Sequence, residues 1–97
     1  MLGLNYCCYV LYSLKDHKFY IGYTTNLEQR IENHNAGKTT STAPRRPLKL
    51  IFCEYYLVKA DAMRREKYFK TTAGKKGLRL MLRETLVTLE KNYSKLD

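Results

Sequence analysis

The sequence has no tryptophan, two prolines, five glycines and only three cysteines in its 97 residues. Each scarcity removes a class of protein. Three cysteines are an odd count, and Cys7 and Cys8 are neighbours on what reads as a strand, so their side chains point to opposite faces and no disulfide scaffold is expected. No cysteine spacing joins a histidine pair into a zinc site. Buried, reduced thiols in a cytoplasmic protein are the expectation. Long apolar runs are missing as well: the longest uncharged one, Tyr6 to Leu14, is far below the roughly 20 residues that cross a bilayer, so no membrane span is expected. Met1 to Tyr6 shows neither a basic n-region nor a cleavage site, and no secretory signal is expected. Residues 1–97 read as one domain, and 44% hydrophobic residues suffice for its core.

Acidic residues are also few. Nine Asp and Glu stand against eighteen Lys and Arg, a formal charge of +9. Such a balance points to a polyanionic partner, most simply nucleic acid, with a merely soluble basic domain as the plainer alternative. The distribution adds to this. No acid lies between Asn33 and Cys53, a stretch that carries Lys38, Arg45, Arg46 and Lys49. None lies between Lys67 and Arg83, which holds Lys70, Lys75, Lys76 and Arg79. Tracts of one sign suit a surface that follows phosphates. If about five phosphates are neutralised on duplex DNA, log affinity falls against log salt with a slope near −4.5.

Residues 6–13 are aromatic and β-branched enough for a strand, residues 15–18 are turn-like, and Phe19 to Gly22 resumes strand character, so a hairpin is expected. Thr25 and Glu28 have capping-box spacing ahead of a helix that runs to about Ala36 and stops at Gly37. Residues 38–47 form a polar loop longer than most connections, which marks it as functional. Leu48 to Tyr56 reads as a third strand. Asp61 caps a second helix from Ala62 to about Thr72, Gly74 and Gly77 break it, and Leu78, Met81, Leu82, Leu86 and Leu89 draw one stripe on a third. The order ββαβαα implies an α+β fold: a three-stranded antiparallel or mixed sheet with three helices packed around it.

Three constellations carry chemical interest. On the first helix Leu27 and Ile31 define the buried stripe, and Arg30 and His34 project from its edge; a snorkelling arginine and a histidine bonded to a carbonyl would be the ordinary reading. On the second helix Glu66 falls in the middle of the apolar face drawn by Ala62, Phe69 and Ala73. A carboxylate there needs a partner, either a core arginine or a metal ion. Nine tyrosines without a tryptophan are a skewed usage, and Tyr9 and Tyr20 lie on the two strands of the hairpin, where cross-strand pairing brings them together.

The ordered set Tyr9, Tyr20-Ile21-Gly22, Thr24, Leu27, Arg30 and His34, continued by Arg45-Arg46-Pro47 and by residues 62–69 around Glu66, resembles the GIY-YIG nuclease superfamily. The likeness covers nearly the whole chain and is greatest to small stand-alone members resembling the N-terminal catalytic domain of excinuclease C. It implies phosphodiester hydrolysis in DNA with one divalent ion, Mg²⁺ or Mn²⁺. It implies Tyr9, Tyr20, Arg30 and His34 as catalytic residues and Glu66 as the metal ligand, while the basic tracts bind nucleic acid. An ordinary phenol with a pKa of ~10 is ionised about one part in a thousand at pH 7, a deficit of roughly 4 kcal/mol, so a tyrosine base needs a neighbouring cation. Arg30 can supply that charge or clamp the phosphate. Two departures stand out: Cys7-Cys8 replace the Gly-Ile that precedes the first tyrosine, and the late asparagine of many members has no counterpart between Gly74 and Arg79. The second departure is the ground for an alternative, a non-catalytic nucleic-acid-binding module with the same fold. A protein-interaction role for the leucine-rich third helix is a further alternative.

Overall fold

From Cys7 to Ser13 every residue of the first strand is buried, which is what a strand in the middle of a sheet with both faces covered requires. The computed structural model describes residues 3–93. Its elements are β1 (Tyr6–Ser13), β2 (Phe19–Thr24), α1 (Leu27–Asn35), a 3₁₀ turn (Ala43–Arg45), β3 (Leu48–Tyr56), α2 (Lys59–Phe69), α3 (Thr72–Met81) and α4 (Arg83–Tyr93). The strand order is β2-β1-β3, and both pairings are antiparallel. The α+β expectation holds, with all three strands antiparallel and four helices in place of three.

Alternation on β1 divides the core. Cys8, Val10 and Tyr12 face Phe19, Ile21, Phe69, Leu78 and Leu89, the layer made with α2, α3 and α4. Cys7, Tyr9 and Leu11 face Leu48, Tyr20, Leu27 and Ile31, the layer made with α1. Cys7 and Cys8 do point to opposite faces, and each thiol is buried. Fully buried side chains such as Val10 and Leu11 contribute roughly 2 kcal/mol each by leaving water. A second tie holds the α2 layer: Arg65 Nε lies 2.9 Å from Glu54 Oε1 on β3, and the Tyr56 hydroxyl donates to the same oxygen at 2.7 Å. The Arg65 guanidinium also covers the Phe69 ring at 4.3 Å.

Several boundaries differ from expectation, each for a local reason. Asn26, not Thr25, caps α1: its side chain accepts from the Gln29 N–H at 3.1 Å, while Thr24 Oγ1 accepts from Asn26 N–H. Gly37 does end the helix, at φ +77°. The second helix starts at Lys59, and Asp61 lies in its first turn, paired with Arg64 at 2.9 Å. Gly74 and Gly77 do not break it; both lie inside α3. The break comes earlier, where Thr71 Oγ1 accepts from Gly74 N–H and caps α3. Gly74 is required there because a Cβ would lie 2.0 Å from the Tyr68 carbonyl oxygen. The single leucine stripe divides at Leu82, where Arg83 Nη1 donates to the Leu80 carbonyl at 2.8 Å and takes the acceptor that a continuing helix would use. Leu78 and Leu89 are buried on either side of this bend, whereas Met81 is exposed.

Candidate active site

Four of the residues singled out in the sequence meet on the α1 face of the sheet. Tyr9 and Tyr20 are diagonal neighbours, since Tyr9 pairs with Gly22 and Tyr20 with Leu11; their ring centroids lie 6.5 Å apart. α1 starts shortly after β2 ends, so one helical turn brings Arg30 and His34 over the same ground. Arg30 Nε donates to Tyr9 Oη at 3.3 Å, and His34 Nε2 lies 2.9 Å from the same oxygen. The Tyr20 ring stands edge-on to His34 with centroids 5.0 Å apart.

Burial separates the roles. Tyr9 and His34 are wholly buried. Burial pushes the Tyr9 phenol up, and the Arg30 hydrogen bond offsets part of that rise. Burial, with the Arg30 charge added, pushes His34 down and keeps its imidazole neutral at pH 7. Arg30 itself is exposed, and its two terminal nitrogens make no hydrogen bond among the described residues. Tyr20 is half-buried, and its hydroxyl likewise has no partner among them. The buried pair is thus fully engaged with its neighbours, whereas the exposed Arg30 and the half-buried Tyr20 each keep polar groups without a partner among the described residues.

Glu66 lies on α2, in the other layer, with its side chain 17% exposed. The core arginine next to it, Arg65, is bonded to Glu54 instead. Its ion partner is Lys70, one turn along, at 3.2 Å and 55% exposed. The Glu66 charge nonetheless adds to the rise of Tyr9 and of Cys8, in each case behind burial. Among the described residues no three His, Cys, Asp or Glu cluster as a metal cage.

The basic residues divide. Lys38, Arg46, Lys49, Lys75 and Lys76 are exposed. Lys75 joins Lys18, Arg79, Phe19, Asp16 and Arg45 around a cleft of about 530 Å³. Lys70 is the partner of Glu66. Arg45 is committed to the fold: Nε is 2.6 Å from Asp16 Oδ2, and Nη2 donates to the carbonyls of Lys18 and Phe19 at 3.1 and 3.2 Å. Arg46 turns back on its own loop, with Nε donating to the Ala43 carbonyl at 2.7 Å. Two contributors have no counterpart in the sequence reading. Thr42 Oγ1 lies 2.8 Å from His34 Nδ1, and the Asn35 side chain accepts from Leu48 N–H at 3.2 Å, tying α1 to β3. A threonine in a polar loop has no sequence signal that sets it apart from Thr39 or Thr40.

Comparison with known proteins identifies the family. The family pattern described as the GIY-YIG catalytic domain matches residues 5–79. A UPF0213 protein of Staphylococcus haemolyticus is 46% identical over 68 residues, covering 69% of this chain and 83% of that protein. The UPF0213 protein YazA of Bacillus subtilis is 44% identical over 73 residues, covering 74% and 73%. The solution NMR structure of a UPF0213 protein from Bacillus halodurans superposes with a TM-score of 0.50 at 33% identity, covering 78% of this chain and 83% of that one. These relatives are small UPF0213 proteins, and the likeness to excinuclease C rests on the motif residues alone. With its motif tyrosines, arginine and histidine gathered at one place on the sheet, the chain belongs to the GIY-YIG catalytic-domain family, a nuclease-type domain.

Proposed function

We propose that the protein is a metal-dependent endonuclease that hydrolyses phosphodiester bonds in DNA. The observation that carries this reading is the Arg30 guanidinium, held through Nε by a buried Tyr9–His34 pair, with both terminal nitrogens making no hydrogen bond among the described residues and with Tyr20 near enough to act on its charge. A planar guanidinium fixed at one nitrogen presents its other two to a phosphate as a fork. Tyr20, the accessible phenol, acts as the base, and Tyr9 positions Arg30. In the step, Tyr20 gives its hydroxyl proton to solvent and then takes a proton from the attacking water, whose oxygen forms a bond to phosphorus. The bond from phosphorus to the leaving ester oxygen breaks, and that oxygen keeps the electron pair and is protonated from solvent. Arg30 stabilises the negative charge that grows on the non-bridging oxygens.

Tyr9, Tyr20, Arg30 and His34 offer no carboxylate to a divalent ion; Glu66 on α2, whose charge acts on Tyr9, is the carboxylate available for one. Glu66 would hold it, with waters and substrate phosphate oxygens completing the oxygen shell that Mg²⁺ or Mn²⁺ prefers. When bound, the ion supplies neutralisation of phosphate charge. Lys38, Arg46, Lys49, Lys75 and Lys76 supply the flanking phosphate contacts.

One observation favours a non-catalytic binding module: Lys70 already neutralises Glu66. A pair one helical turn apart whose lysine end is 55% exposed is worth about 1 kcal/mol or less, too little to exclude a cation. Plasmid nicking with Mg²⁺ or Mn²⁺ separates the readings. The native protein is expected to nick, with activity reduced at least ~100-fold in folded Arg30→Ala and Glu66→Ala variants, an effect of the size expected for lost charge stabilisation. Salt-dependent binding without turnover on every substrate would select the module instead.

A further inference from the structure

Thr42 is wholly buried at the start of the 3₁₀ turn, yet its hydroxyl does not cap that turn. It faces His34 Nδ1 at 2.8 Å and the Thr39 carbonyl oxygen at 3.4 Å. The Thr39 carbonyl already accepts the backbone N–H groups of Thr42 and Ala43, at 3.1 and 2.9 Å, and a hydroxyl can donate to either neighbour. If its proton goes to Thr39, its lone pairs face the ring and Nδ1 carries the imidazole hydrogen.

The far side of the ring decides between the two tautomers. Tyr9 Oη has two neighbours among the described residues, Arg30 Nε and His34 Nε2. Arginine Nε only donates. Were Nε2 also a donor, the Tyr9 proton would have no acceptor in a buried place, which costs about 1–3 kcal/mol. With Nε2 bare, four donors meet four acceptors in series. Arg30 donates to Tyr9, Tyr9 to His34 Nε2, His34 Nδ1 to Thr42, and Thr42 to Thr39. A neutral imidazole is the condition for this arrangement, and burial beside Arg30 provides it.

We propose that Thr42 is a positioning residue that fixes His34 in its Nδ1–H tautomer and, through Tyr9, sets the orientation of the Arg30 guanidinium. The tautomer follows from the hydrogen bonds alone; its effect on rate rests on the nuclease reading of Arg30. The loop that carries Thr42 is itself anchored. Arg45 binds Asp16 and two carbonyls of the hairpin, the Ser13 hydroxyl donates to the Arg45 carbonyl at 2.7 Å, and Lys15 Nζ donates to the Pro44 carbonyl at 3.0 Å. Arg45 thus acts on the site by holding Thr42 in place.

Long-range ¹⁵N–¹H spectra of the histidine rings in the full chain at neutral pH test this directly, with the exposed His17 as an internal reference. The native spectrum is expected to place the His34 proton on Nδ1; a proton on Nε2 overturns the proposal before any variant is made. Thr42→Val keeps the volume and removes the hydroxyl, and it is expected to move His34 to a mixture of tautomers that Thr42→Ser restores. An unchanged Nδ1–H pattern in folded Thr42→Val protein overturns it as well. In plasmid nicking, Thr42→Val is expected to lower kcat/KM about tenfold, as loss of an orienting contact typically does, and to have no further effect in a Tyr9→Phe background. Equal losses in both backgrounds would mean that Thr42 does not act through Tyr9. A native protein that has the Nδ1–H tautomer, loses it in Thr42→Val and cuts nothing supports the tautomer assignment and removes the nuclease reading.

Discussion

Gly22 and Tyr9 are cross-strand partners of which only one can carry a side chain on the α1 face. A Cβ built on Gly22 would lie 2.4 Å from both Cζ and Oη of the Tyr9 ring. The glycine is there because the phenol crosses over it, and that crossing carries Tyr9 Oη to the place where Arg30 and His34 reach it.

Gly22→Ala is expected to displace the Tyr9 ring and break both hydrogen bonds. The ring has no room to retreat within a packed layer, so the loss is expected to be about 1–3 kcal/mol in chemical denaturation, the range for overpacking. Nicking activity is expected to fall with it. An unaltered unfolding midpoint would show that the ring can move without penalty.

The two phenols are expected to respond in opposite ways to loss of the hydroxyl. Tyr9→Phe leaves a buried imidazole nitrogen without its donor and Arg30 Nε without its acceptor, a loss of about 1–3 kcal/mol of stability. Tyr20→Phe removes a hydroxyl with no partner among the described residues, so stability is expected to change by less than about 0.5 kcal/mol while cleavage is abolished. Urea titrations and nicking assays on the same preparations check both. Retained cleavage in Tyr20→Phe would pass the role of base to Tyr9.

Acid is expected to weaken the hairpin anchor at a defined place. The Arg45 hydrogen bonds hold the Asp16 carboxyl down at about 2, against an ordinary value of 3.8. Its contribution is full above about pH 4 and is lost as pH falls toward about 2, because the unfolded chain takes up the proton first. For a partly exposed pair the contribution is about 1 kcal/mol after screening. Thermal unfolding at about pH 6 and about pH 2.5 is expected to show a smaller acid-induced drop in Asp16→Asn than in the native protein. Equal drops would mean that Asp16 is not the group responsible.

Thiol reactivity is expected to follow burial. Burial, the largest cause in each case, pushes Cys7 up to about 11 and Cys8 up to about 12, whereas Cys53 is partly exposed. A neutral-pH thiol reagent is expected to modify one cysteine in the folded protein, Cys53, and all three after denaturation. Rapid modification of Cys7 or Cys8 in the native state would contradict the double-sided packing of β1.

Much of the fold is legible in the chain. β3 reads with its observed ends because an aliphatic and aromatic run follows Pro47 and gives way shortly to the polar helical residues that begin at Lys59. Helical spacing places Arg30 and His34 at the edge of the α1 stripe; Arg30 is exposed, whereas His34 is the fully buried residue of α1 and Leu27 and Ile31 are only partly buried. The division between α2 and α3 is not legible, because Gly74 looks like a stop signal while its actual use is to let the start of α3 abut the end of α2. Arg45 reads as a phosphate contact because nothing local links it to Asp16, 29 positions away. Thr42 escapes the sequence for the same reason: its partner lies on a helix eight residues back, and no periodicity joins a loop hydroxyl to a helical imidazole.

Because Tyr9 projects from the strand that both layers enclose, the site has no hinge of its own. Its backbone amides are expected to exchange with solvent only when the whole domain opens, so any substitution that lowers global stability also shortens the lifetime of the assembled chemistry. On the proposed nuclease reading, a substrate would meet a preformed surface, and discrimination among nucleic-acid structures would fall to whatever can bend or splay to reach Arg30.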